Sequence, residues 1–505
     1  MKTIIKAYLI FVGVGMTCVG LPHGVRAVVP PPDGGYPGFN TAEGQNALFS
    51  LTTGVGNAAV GWYSLFSNTD GSFNTAVGVG TLLFNAGDQS TNQGVQNTAV
   101  GAAALLSNTS GSYNTAVGVT SLLNNTASFN SAFGWQALTS NTTGETNTAI
   151  GEEALRDNTT GAANTAVGSL ALSHNTDGNL NTAVGRTALS GNTTGSFNTA
   201  TGRAALAANT VGDSNTATGL AALFSNTSGS FNTATGSSAL TGNTIGIENT
   251  AVGFQALLSN TDGSDNTAIG DAALSANTSG TFNTAVGLSA LVSNQTGTFN
   301  TAVGGGAGAN ITGNFNTYIG GFVVGVASEN NTVRIADNLP DGQGASACYV
   351  GGIENQAIDP ATAAPVGIDA TGKLGTTSSS RRFKCDIKPL EKASDSILAL
   401  KPVAFHYKSD VKNTPCFGLI AEEVEKVNRD LVVRDKEGKP YSVRYDQVNA
   451  MLLNEFLKEH NKIEKLESTV ANLVATMKEQ AAQIQKVSAE LESTKRTQEV
   501  AVNNR

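Results

Sequence analysis

A seventeen-residue unit of the form NTAVGxxALxxNTxGxx recurs with little drift from Asn40 to Asn316, its leading asparagine returning at positions such as 57, 114, 181, 249 and 300. A core assembled from dissimilar elements has no reason to repeat one short sentence, so more than half of this chain is a repeat array. Seventeen residues are too few for a two-helix repeat, and two Gly and two Asn-Thr pairs per unit would break any helix. Short β-branched stretches cut by turn residues instead suit the coils of a β-solenoid.

In Asn181-Thr182-Ala183-Val184-Gly185 the side chains alternate, so Thr182 and Val184 share one face and Ala183 takes the other. Ala188-Leu189 supplies a second apolar wall. The fifth-place glycines (Gly185, Gly253, Gly287) and those of NTxG (Gly195, Gly263, Gly280) mark tight reversals where positive φ is expected. Stacked asparagines can pair from coil to coil. One buried Val and one buried Leu per coil would contribute roughly 1.5 to 3 kcal/mol each, against about 1 to 2 kcal/mol per residue to order the backbone. A single thin solenoid is therefore underpowered, and association of several chains through an Ala-rich face is the expected remedy.

The NTAVGxxAL unit is similar to the head repeats of trimeric autotransporter adhesins. That resemblance implies a parallel β-roll over 40–325, assembled as a homotrimer that meets a cell-surface glycan or protein receptor.

Charge and targeting set the surroundings. With 30 Lys+Arg against 39 Asp+Glu and nearly uncharged repeats, no basic stripe is present to follow a phosphate backbone, so nucleic acid is not an expected partner. Lys2 and Lys6 precede an apolar run from Ala7 to Leu21, and Val25-Arg26-Ala27 ends in the small residues a signal peptidase reads. Residues 1–27 are thus predicted to be a secretory signal, which places the mature chain outside the cell or on its surface with no remaining membrane span. Cys18, after Gly15-Met16-Thr17, lacks a good lipobox. The remaining Cys348, Cys385 and Cys416 fit neither a zinc site nor a disulfide framework, and are read as buried thiols or as one Cys385–Cys416 bridge. No metal or cofactor motif is found.

A Pro/Gly-rich linker is expected over 28–39 and a β-rich transition over 326–378, including Thr332–Ile335 and Cys348–Val350. Charge density then rises. Pro402–Lys408 alternates as a strand, Gly418–Val427 reads as a strand turning into a helix, and the chain is helical from Tyr445. Ile463, Leu466, Val470, Leu473, Met477, Ile484, Val487 and Leu491 keep 3-4 spacing, a heptad seam whose mixed Ile, Val and Leu tolerate a trimer. The coiled coil is placed at 461–497, with a frayed tail at 498–505.

SSSRRFKCDI at 378–387, LKPVAFHYK at 400–408, GLIAEEVEKVNRDLVV at 418–433 and VRYDQVNAMLLNEFLKEH at 443–460 resemble the C-terminal intramolecular chaperone of endosialidases and phage tail fibres. The resemblance implies a small α/β domain at 379–460 that guides trimerisation of the upstream fibre and then cuts itself off. Its Ser-Lys dyad falls on Ser379 and Lys384, with cleavage between Ser378 and Ser379 and with Arg382 at the basic position between the pair. Where relatives often carry an acidic residue after the Ser, this chain has Ser380.

The chemistry is reasonable on its own terms. A hydroxyl attacks a peptide carbonyl once a base takes its proton, and a lysine kept neutral by burial or nearby cations can be that base; Lys384 has Arg381, Arg382 and Lys388 around it. His406 is read as a surface residue, and Glu422, Glu423 and Glu425 as the wet face of a helix. A phage tail fibre, or an enzyme acting on an external polymer, would carry the same chaperone. For the enzyme, Asp70, Glu145, Asp213 and Asp271 are scattered singly, without a repeated catalytic geometry.

Overall fold

A computed structural model describes residues 37–335, 366–368, 374–376, 379–408, 410–435 and 437–502. The signal segment, Cys348 and Ser378 lie outside the described residues, as does most of the expected transition. The chain divides into two units, one through Ile353 and the other from Glu354.

The first unit is a parallel β-solenoid. Eighteen three-residue strands form one parallel sheet, each strand pairing with the one a coil away, as Thr182, Ala183 and Val184 do with Thr199, Ala200 and Thr201. The sheet runs to Val333–Ile335, which pairs with Thr317–Ile319, one strand past the expected limit at 325. Alternation holds in every coil, but the inside is not the face that hydrophobicity suggested. Ala183 is fully buried, whereas Val184 is 38% exposed.

The reason is volume. Most interior layers already hold two asparagine side chains, Asn181 and Asn192 in this coil, together with Ala188 and Leu189, all of them fully buried. Only a methyl group fits in the remaining place, so Val is turned outward. The expected buried Val and the expected Ala-rich association face are both overturned, because the Ala column lies within the coil.

The two asparagines build two ladders. Asn181 Nδ2 donates to Asn164 Oδ1 (3.1 Å) and to Gly195 O (2.9 Å), and its backbone N–H donates to the same Asn164 Oδ1 (3.0 Å). Asn192 Nδ2 donates to Asn175 Oδ1 (2.7 Å) and also to Gly195 O (2.8 Å). A buried amide with its partners in place costs little, and one without them costs the desolvation of the group, so the ladders lock the coil spacing. The second ladder breaks twice, leaving Asn108 Oδ1 and Asn294 Oδ1 without a hydrogen bond. Asn125 turns its amide to Ala127 O in a coil one residue short, and Ile311 stands where the ladder after Asn294 calls for an amide. Asn108 and Asn141, although they head glycosylation triplets, are ladder members.

Only one of the two glycine classes serves backbone conformation. Gly185 has φ +132°, and a Cβ there would meet Gly202 O at 2.5 Å. Gly195, against expectation, has no positive φ; a Cβ there would lie 2.5 Å from both Asn192 Oδ1 and Gly212 O, so it is glycine because the ladder passes so close. The left-handed turns fall instead on Thr187, Leu189 and Phe197.

At its C-terminal end the solenoid changes its filling. Tyr318 takes the Ala place and is fully buried, donating its hydroxyl to Glu329, which also accepts from Val326 N–H (3.0 Å) and Arg334 Nη2 (2.7 Å). Burial pushes the Tyr318 hydroxyl up, and its bond to Glu329 adds to this. Burial also opposes the Glu329 charge, yet the Arg334 and Tyr318 hydrogen bonds outweigh it and hold the carboxyl below its usual range.

The second unit is small. Its core is Val424, Leu431, Val432, Val443 and Met451, with Ile397, Leu400, Leu419, Ala421 and Val448 packed around it. Most of these residues come from the 3-10 helix Glu391–Ala399, helix α1 (Ala421–Val427), the hairpin of Val432–Arg434 with Pro440–Val443, and helix α2 (Tyr445–Val502), while Leu431 ends the 3-10 helix Arg429–Leu431 and Leu400 and Leu419 lie in connecting chain. The strand expected over Pro402–Lys408 is confined to Val403–Phe405, paired with Cys416–Gly418. Tyr445 ties α2 to that hairpin by accepting from Leu419 N–H at 2.9 Å. Beyond the core, α2 leaves its heptad seam uncovered, Leu473 and Ile484 being 58% and 66% exposed. Among the described residues, no helix is long and apolar enough to cross a membrane.

Candidate functional site

The Ser-Ser-Arg-Arg-Phe-Lys segment folds as one tight turn. Ser380 caps the 3-10 helix Arg381–Phe383, its hydroxyl accepting from Arg382 N–H (3.4 Å) and Arg382 Nε (3.3 Å). Lys384 closes the turn by donating its backbone N–H to Arg381 O (3.2 Å). The Arg382 guanidinium lies 5.6 Å from the centre of the Phe383 ring. Ser379 and Lys384 thus flank a single short turn, and both are exposed. Among the described residues no hydrogen bond joins their side chains.

The turn is equally open in its apolar residues: Phe383 is 71% exposed, and Ile387 just after it is exposed too. Cys385 is exposed and Cys416 half-buried, and both are free thiols, so for these two neither the buried-thiol reading nor a Cys385–Cys416 bridge holds; Cys348 lies outside the described residues. Cys385 follows the 3-10 helix in exposed chain and Cys416 opens the three-residue strand Cys416–Gly418, so neither thiol is drawn into the small core. His406 is exposed, as are Glu422 and Glu423, while Glu425 pairs with Arg434.

A second polar cluster was not anticipated. Ser394, fully buried, donates to Glu455 and accepts from Asn454 Nδ2 (2.6 Å) and Lys458 Nζ (3.1 Å). Lys458 also pairs with Asp395 (2.7 Å) and Glu455 (2.6 Å). The Lys458 and Ser394 hydrogen bonds hold the Glu455 carboxyl below its usual range, and the Asp395 and Glu455 bonds raise Lys458 above its own. A lysine so committed to its charged form is no base for Ser394. The cluster pins the 3-10 helix Glu391–Ala399 to the first turns of α2, a positioning role. The Asn454, Glu455, Lys458 spacing on one helix face was its only trace in the sequence.

In the solenoid, the scattered acids tie coils together. Asp70 accepts from the Thr52 and Thr53 hydroxyls (2.7 Å each), and Asp213 from Ser196 N–H (2.7 Å).

Residues 379–433, within the second unit, match the family described as chaperone of endosialidase. The class defined by fold and match together is a parallel β-solenoid joined to an endosialidase-type chaperone domain, as in fibre proteins of the phage-tail kind. No curated protein and no solved structure matches the chain.

Proposed function

We propose that the chain is the subunit of an exported homotrimeric fibre, in which the solenoid is the working part and the C-terminal domain assembles it and then detaches. The observation that carries this reading is the chaperone match at 379–433 next to a 58-residue helix, α2, whose heptad seam is left open. Three such seams close on one another as a coiled coil, with Gln480 at one core place.

Cleavage follows assembly. Ser379 Oγ attacks the carbonyl carbon of Ser378 while Lys384 Nζ takes the hydroxyl proton. The C–N bond breaks, the proton passes to the departing Ser379 amine, and Ser378 is left as an ester on Ser379 Oγ. Water opens the ester, giving a Ser378 carboxylate and restoring the hydroxyl. The base must be neutral, and burial against partner chains is what would favour that at a site so exposed in one chain. Cleavage is therefore coupled to trimerisation.

Export rests on the signal-like segment 1–27, and the bare solenoid surface is the part offered to a receptor, a glycan or protein on a cell. Phage tail fibre is the alternative with most in its favour, since the chaperone domain is of that kind. Multi-angle light scattering and Ser379→Ala and Lys384→Ala variants test the reading. Wild type should yield trimers cut before Ser379, and each variant uncut trimers. A monodisperse monomer would sink the fibre reading, and a Ser379→Ala chain that still cuts at this bond would move the nucleophile to Ser378 or Ser380.

A further inference from the structure

Over residues 37–335 the solenoid carries fourteen acidic residues, four arginines and no lysine. Two of the arginines are neutralised where they stand: Arg156 pairs with Glu153 and Asp157, and Arg334 with Glu329. The other two, Arg186 and Arg203, are exposed, and among the described residues neither side chain has an ion pair or a hydrogen bond. They hold the same place in successive coils. Ala204 N–H donates to Arg186 O and Thr187 N–H to Ser169 O (3.0 Å each), so the turns stack in register and the two arginine side chains start about 4.8 Å apart. Like charges stacked in this way repel. The nearest acid of their column, Glu152, lies two coils before Arg186 and accepts from the Ser169 hydroxyl (3.5 Å). The adjoining strands change character in the same region. Their third residue is Val or Ile in most coils, but Thr201, Thr218 and Thr235 stand there in three consecutive strands, paired in register and exposed. Among the described residues these three hydroxyls have no hydrogen-bond partner. Leu220, next after Arg203 in its column, is 50% exposed.

We infer that Arg186 and Arg203, with Thr201 and Thr218 beside them, form a binding site for a carboxylate-bearing glycan. The inference rests on the reading of the solenoid as the part offered to a receptor, and it names the place and the ligand class. A guanidinium presents paired N–H donors that fit the two oxygens of a carboxylate, and one carboxylate held between two of them relieves their repulsion. The free threonine hydroxyls donate to and accept from sugar hydroxyls, as the Val of neighbouring coils could not. Leu220 offers an apolar surface to the C–H face of a sugar ring. The acidic rod around the site repels a densely charged polymer, so the fitting ligand carries its charges singly among neutral sugars.

The test is calorimetric titration of the full chain with hyaluronan octasaccharide, in which alternate sugars carry a carboxylate, alongside its carboxyl-reduced form and octaglutamate. Wild type should bind hyaluronan, more weakly as salt rises, and neither of the other probes. Arg186→Ala with Arg203→Ala should weaken binding by about tenfold or more, and the paired Lys variants, which keep the charge without the fork, should still lose several-fold. Thr201→Val with Thr218→Val restores the residue of neighbouring coils and should weaken binding by a smaller factor, with the melting temperature unchanged. The inference is overturned if wild type does not bind hyaluronan, if the reduced form binds equally, or if the double alanine variant stays within about twofold of wild type. Octaglutamate bound as well as hyaluronan would overturn the glycan and assign the arginines to an acidic protein. Light scattering on the same samples keeps this apart from the fibre reading: trimers that fail to bind refute the site alone, and monomers that bind refute the trimer alone.

Discussion

Replacing Asn232 with alanine isolates what the ladders contribute. Asn232 Nδ2 donates to Asn215 Oδ1 (3.2 Å) and Gly246 O (2.8 Å), and its Oδ1 accepts from Asn249 N–H (3.0 Å) and Nδ2 (3.1 Å). Three of these partners keep a second bond. Asn215 Oδ1 retains Asn232 N–H, Gly246 O retains Asn243 Nδ2, and Asn249 Nδ2 retains Gly263 O. The Asn249 backbone N–H keeps none, and it is fully buried. One orphaned buried donor costs about 1 to 3 kcal/mol, and the small cavity adds about 1 kcal/mol, so a loss of about 2 to 4 kcal/mol is expected. The assay is hydrogen exchange resolved to the coils, with urea unfolding followed by circular dichroism. Protection should fall most at Asn249 and the adjoining coils, because a solenoid transmits damage to its neighbours first. A loss below about 0.5 kcal/mol, or an unchanged Asn249 amide, would refute the ladder as a source of stability.

Two further perturbations follow. Gly195→Ala should destabilise by about 1 to 3 kcal/mol through overpacking against Asn192 and Gly212 O; thermal melts showing a neutral or stabilising change would contradict the close approach. The Glu329 carboxyl is held below its usual range, so its contribution to the last coil is complete above the unfolded value of about 4.3 and is lost as pH falls through the lower folded value. Exchange protection of the Val326 amide, which donates to Glu329, should therefore collapse only in strong acid, and Glu329→Gln should flatten that dependence. Collapse at pH 6 would show that another group controls the cap.

The array, its strands and its asparagine pairing were legible because a strict repeat makes every coil report the same constraint. Which face is inside was not legible at Val184, since alternation separates two faces without saying how much room either has. Two buried amides per coil decided it, by leaving space for Ala183 only. The role of Gly195 was misjudged for a related reason: glycine marks both left-handed turns and close approaches, and only the neighbouring coil tells them apart. Ser379 and Lys384 were proposed from spacing within a resemblance, and the structure places them on either side of one short turn. Spacing cannot say whether they meet, because the single chain leaves both exposed. The Ser394 cluster joins residues some sixty positions apart, beyond the reach of any local pattern.

The central claim is that assembly comes first and cutting second, at one bond. Native mass spectrometry of the refolding full chain, sampled over time with the released piece sequenced from its N-terminus, tests this most directly. Uncut trimer should appear before any fragment, and the fragment should begin at Ser379. A fragment starting elsewhere, or one released from monomers before any trimer forms, would contradict it.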